Sequence, residues 1–93
     1  MDISEAPPLE WQILNEETQI GCKDGKVVAI AYTVYSGDVN GAPSYEFCWT
    51  PVDDPDHFDV HFGLTPKAGT AWDNRWKATR KATEWDYAMR AQA

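Results

Sequence analysis

The densest set of chemically active side chains in the sequence is Asp53-Asp54-Pro55-Asp56-His57-Phe58-Asp59-Val60-His61. Two imidazoles four residues apart would share one face of a helix and could there take a zinc ion. The alternation of Phe58, Val60, Phe62 and Leu64 with His57, Asp59 and His61 argues instead for a strand, with the first set inward and the second outward. At about 3.3 Å per residue the two rings then stand roughly 13 Å apart, too far to share one ion. The aspartates also lack the glycine that a calcium loop needs at its sharp turn. Neither a metal nor any other cofactor is therefore expected. Asp59, two residues from each histidine on the outward face, is placed to raise their pKa and to assist proton transfer. A nucleophile to accompany them is missing. The chain has no Gly-x-Ser-x-Gly elbow, no glycine-rich phosphate loop and no His-Glu-x-x-His. The sequence points away from an enzyme.

Charge offers more than catalysis does. The 93 residues carry a formal charge of −7, and it is unevenly spread. Residues 1–66 hold twelve acids against Lys23 and Lys26, whereas residues 67–93 hold six bases against three acids. Glu46, Asp53, Asp54, Asp56 and Asp59 fall on turns and outward strand positions, where they would make a negative face. Such a face can dock on a basic surface of another protein, including a groove meant for nucleic acid. The opposite possibility uses Lys77, Arg80 and Lys81, which line one side of a helix as phosphate contacts require. The net negative charge and the acids interleaved with those bases weigh against it.

The elements that position these groups follow from periodicity and turn chemistry. Residues 1–8 read as a flexible leader, because Pro7-Pro8 resists both helix and sheet. Leu9 to Leu14 places Leu9, Trp11 and Ile13 on one side of a strand. Thr18 to Cys22 and Val27 to Ser36 flank Asp24-Gly25, a pair suited to the positive φ of a tight hairpin turn. The second arm, VVAIAYTVYS, is apolar on both faces and reads as a central strand covered on at least part of each side. Gly37 to Pro43 reads as a longer turn around Asn40-Gly41. Tyr45, Phe47 and Trp49 then alternate with Ser44, Glu46, Cys48 and Thr50. The expected class is α+β: an antiparallel meander of four to five strands over residues 9–64, with a C-terminal helix over 65–91 packed on one face.

That helix carries more rings than a surface helix needs. Trp72, Trp76, Ala78, Thr79, Ala82, Thr83, Trp85, Tyr87 and Met89 fall in one arc of about 200°, where resting on a sheet needs about 100°. Lys77, Arg80, Lys81 and Glu84 occupy the other side, with Arg80–Glu84 an i,i+4 ion pair. If Trp85, Ala78, Met89 and Ala82 face the sheet, Trp72, Trp76 and Tyr87 are left at the flank as a contact patch for another chain; the opposite assignment satisfies the same wheel.

The remaining bounds are broad. A chain of this length makes one domain, and about 64% of its unfolded surface would be buried. No apolar run approaches the roughly 20 residues that span a bilayer. The acidic start, Met1-Asp2-Ile3-Ser4-Glu5, is unlike a signal peptide. A soluble cytoplasmic protein with free thiols at Cys22 and Cys48 is expected. The function that fits is a small acidic, non-catalytic protein-binding module, an inhibitor or adaptor docking through Glu46, Asp53, Asp54, Asp56, Asp59, Trp72, Trp76 and Tyr87. The alternatives are nucleic-acid binding by the basic side of the helix, and a homodimeric structural protein.

Overall fold

The computed structural model describes residues 2–92. Five strands, β1 (Glu10–Asn15), β2 (Thr18–Lys23), β3 (Lys26–Val39), β4 (Ala42–Pro51) and β5 (Asp59–Pro66), form one sheet in the order β1-β2-β3-β4-β5. Every neighbouring pair is antiparallel. One helix, α1 (Gly69–Gln92), then returns across the sheet and contacts β3, β4 and β5. The α+β meander read from the sequence is this fold. The accessible surface, 5638 Å², is close to the roughly 5,400 Å² expected for a folded monomer of this mass.

The turns explain the register. Asp24 (φ 53°) and Gly25 (φ 79°) are both left-handed, as are Asn40 (φ 52°) and Gly41 (φ 80°). A two-residue loop of this kind matches the right-handed twist of the strands it joins. The β3–β4 connection is accordingly shorter than the seven-residue turn expected from Gly37 to Pro43. Val39 pairs with Ala42, so both strands run to the tip. The pairing slips between Tyr35 and Gly37, which absorbs the extra residue. Because β2 reaches β3 only as far as Tyr32, the β3–β4 hairpin projects past its neighbour.

One face of the sheet holds the core. Ala29 and Ala31 on β3 and Phe47 and Trp49 on β4 have no exposed surface. The small residues make room for the rings. Trp76 packs on Ala31 and Phe47, and Trp72 and Phe62 close the same cluster. Leu9, Ala29 and Trp49 form a second cluster with Trp11, Val28 and Tyr87. Trp11 lies over Gly21, where an added Cβ would come 2.9 Å from Leu9 Cδ1 and 3.2 Å from Trp11 Cη2. This packing corrects the expectation that Trp76 is left over for a partner: it is 5% exposed. The assignment that puts Trp72, Trp76 and Tyr87 toward the sheet is the one adopted, and all five indoles are buried or half-buried.

A second correction concerns Glu84, which the helical wheel places among the solvated bases. It is 4% exposed, and its Oε2 accepts the Leu9 backbone N–H and the Trp11 indole N–H, each at 2.9 Å. Its expected partner Arg80 turns to Gln19 Oε1 instead, at 3.0 Å. The leader is drawn along with Leu9. Its 3-10 turn, Ile3–Glu5, contacts α1, and Ala6 is buried.

Two stability effects follow. Glu84→Ala leaves two donors unpaired in a buried position and is expected to lower stability by about 2–4 kcal/mol, read from urea denaturation together with a changed Trp emission. Gly21→Ala forces Leu9 and the tethered Trp11 apart and should cost about 1–2 kcal/mol. A variant matching wild type in denaturation midpoint would contradict that packing.

Candidate functional site

The sheet's two faces differ in what covers them. Residues paired across strands share a face, so the face opposite α1 can be read from the register. Ile20 pairs with Ile30, Thr18 with Tyr32, Tyr32 with Cys48, Val34 with Glu46, and Cys48 with Val60. On this open side Val34, Val60, Leu64 and, in the loop entering β5, Phe58 are exposed, Phe58 by 61%. Ile20, Ile30 and Tyr32 are half-buried beside them. β3 is therefore a central strand covered on one side only, against the expectation of cover on both. Among the described residues α1 is the one α-helix, and it lies on the face with the alanines.

Over β4 the open face dips. Tyr32 and Val34 form one wall and Phe58 and Val60 the other, with Glu46 and Cys48 between them, around a trough of about 350 Å³. Cys48, at 2% exposure, contributes a short side chain between larger ones. Burial and the Glu46 charge push its thiol pKa up, so it stays protonated. Both cysteines are free thiols. Glu46 Oε1 accepts a hydrogen bond from Ser36 Oγ at 2.9 Å.

The other expected site residues are scattered. Asp53, Asp54 and Asp56 lie on the exposed turn between β4 and β5, just before Phe58. Asp54 Oδ2 is 3.5 Å from Arg90 Nη2 at the end of α1. Asp59 pairs in register with Trp49, on the α1 side, and its Oδ2 lies 3.1 Å from His57 Nε2. Trp72 packs on Tyr45 and Phe47 beneath the Lys67 ammonium, 5.3 Å from the ring. Tyr87 is half-buried with Lys23 5.8 Å above it. Trp72, Trp76 and Tyr87 thus belong to the sheet–helix layer, Glu46 lies on the open face, and Asp53 and Asp54 lie toward the end of α1. The bases of α1 are partly engaged as well: Arg80 with Gln19, Arg75 stacked 4.5 Å over Phe62, and Arg90 with Asp54.

The inward and outward sets of β5 are also reversed in part. The β4–β5 register slips between Phe47 and Cys48, so one extra residue sits opposite the pair. This bulge turns both His61 and Phe62 to the helix and leaves Phe58 and Val60 on the open side, and a second slip, between Tyr45 and Phe47, returns Leu64 to that side. His61 stacks on Trp49 at 6.3 Å, its Nε2 is 3.1 Å from Thr83 Oγ1, and its Nδ1 is 3.8 Å from Asp86 Oδ2. Asp86 also accepts the Trp49 indole N–H at 3.0 Å. Carboxylate, imidazole and hydroxyl stand in the order of a nucleophilic triad. Thr83, however, has no exposed surface, so a substrate carbonyl has no path to its oxygen. The cluster ties β4 and β5 to α1. Among the described residues, no three metal-ligating side chains converge, and no helix is long and apolar enough to cross a membrane.

Burial lowers the His61 pKa below its ordinary 6.5, and the Asp86 and Asp59 charges offset this only in part. Asp59 acts on His61 in the direction expected from the sequence, but burial outweighs it. Between the lowered value and 6.5 the unfolded chain binds more protons than the native one. His61 therefore contributes stability that is complete above about pH 6.5 and lost as pH falls below it. Denaturation midpoints are expected to fall from pH 7.5 to pH 5, and His61→Gln should flatten that stretch of the profile. An unchanged slope in the variant would contradict the assignment.

No protein-family model, curated protein or solved structure matches the chain.

Proposed function

We propose that the chain is a small, non-catalytic protein-binding module, an inhibitor or adaptor that docks by the open face of its sheet. The observation that supports this is the composition of that face. An antiparallel sheet with one solvated side ordinarily alternates apolar and polar residues. Here the outer positions of β2 to β5 include Ile20, Ile30, Tyr32, Val34, Cys48, Val60 and Leu64, with Thr18, Glu46 and Thr50 as the polar residues among them. Four strands about 4.8 Å apart, each contributing about six residues at roughly 3.3 Å, span roughly 380 Å². That is a little under half of the ~800 Å² per partner in a standard interface.

Charge selects the partner. Glu10 and Glu46 are the acidic members of this face, whereas Asp53 and Asp54 of the β4–β5 turn lie toward Arg90 at the end of α1. Lys23 and Lys26 pair with each other, with Lys23 turned to Tyr87 on the α1 side. A partner offering an apolar patch flanked by lysine or arginine is complementary to this arrangement. A second copy is not, because a two-fold contact would set Glu46 of each chain against a face with no base to receive it.

The immobilised chain, its Val60→Asp variant and its Glu46→Lys variant should be compared for retention of lysate proteins at low and high salt. Wild type is expected to hold a defined protein at low salt that both variants lose. Sedimentation across a dilution series should show a monomer. Identical retention by all three chains, or a dimer that Val60→Asp dissolves, would overturn the reading, the latter in favour of self-association.

A further inference from the structure

We infer, on the docking reading above, that the open face is completed by an amphipathic helix of the partner lying along β4, with aliphatic side chains in the trough over Cys48 and a lysine or arginine beside Glu46.

The trough's walls stand on β3 and on β5 with the loop that leads into it, and its floor on β4. Strands two apart in a sheet are separated by about 9.6 Å. A helix is about 10 Å across with its side chains, so a gap of that width admits one row of them, at i and i+4, while the helix body rests on the rims. The same three strands already carry α1 on their other side. The chain is therefore two layers of an α/β/α arrangement whose third layer is supplied in trans. Every described segment that could have covered the face is placed elsewhere: the 3-10 turn and Ala6 lie against the helix layer.

A second sheet suits the face less well. Stacked across all five strands it would bury Glu10 on β1 as well as Glu46 on β4, two carboxylates that need separate counter-charges. A helix over β3 to β5 leaves Glu10 at the sheet edge in water. It meets Glu46 in the trough, so a base belongs beside its apolar row at that point.

Display selection against the intact chain from two libraries tests this, one randomised on a helix face and one on the strands of a β-sandwich scaffold. The helical library is expected to yield binders with aliphatic residues at i and i+4 and flanking Lys or Arg. Val60→Asp and Phe58→Ser should each weaken them about tenfold, and Glu46→Lys should favour acidic flanks instead. Phe58 is exposed in a loop, so its variant reports on contact rather than folding. Strand-scaffold binders alone, lost on Val60→Asp, would overturn the helical occupant and leave the docking face standing. Binders indifferent to all three substitutions, or none from either library, would overturn both.

Discussion

Glu84 Oε2 receives two N–H groups from the start of the chain, 73 and 75 residues away in sequence. α1 reaches β3, β4 and β5 directly, whereas the edge strand β1 is attached to it through Leu9, Trp11 and this one carboxylate. A buried carboxylate is costly unless its lone pairs are met, and a buried N–H is costly unless it finds an acceptor. Each group therefore requires the other. Once Trp11 is held, it covers Gly21 and closes the side of the core that the helix does not span. The attachment of β1 to α1, the burial of Ala6 and the enclosure of the Leu9–Ala29–Trp49 cluster all depend on that contact.

The same economy of layers explains why the other side of the sheet is bare. With one α-helix among the described residues, the sheet is shielded on one face. It shields the one where Ala29, Ala31 and Gly21 leave space for tryptophan rings, since indoles packed on small residues bury the most apolar area for the least strain. The β-branched face, with Ile20, Ile30, Val34 and Val60, is left to solvent or to a partner. Glu10 and Glu46 are the acids on that face, while the bases of α1 lie on the opposite layer and are partly engaged by Gln19, Phe62 and Asp54.

Much of the fold was legible because its signals are local. Asp24-Gly25 and Asn40-Gly41 announce their turns through the φ they tolerate, and the alternation of Tyr45, Phe47 and Trp49 is complete within seven residues. The misreadings share a cause. Glu84 looked like the partner of Arg80 because four-residue spacing is visible in a sequence and a backbone N–H 75 residues away is not. His61 looked outward because strict alternation was carried through a strand that contains a bulge. A bulge is a property of two paired strands, so the β5 sequence read alone does not reveal it.

The sequence by itself determined the element order, the turns, the class of the fold and the acidic character of the turn before Phe58, because each arises from the conformational preferences of neighbouring residues. Only the tertiary structure decided which side of the sheet the helix takes, that Trp76 and Glu84 are interior, and that the unshielded apolar surface is made of strand residues rather than helix rings. β3 is apolar on both faces, so periodicity shows that two buried sides are on offer. The choice between them rests on the fit of rings against small residues brought together from strands distant in the chain.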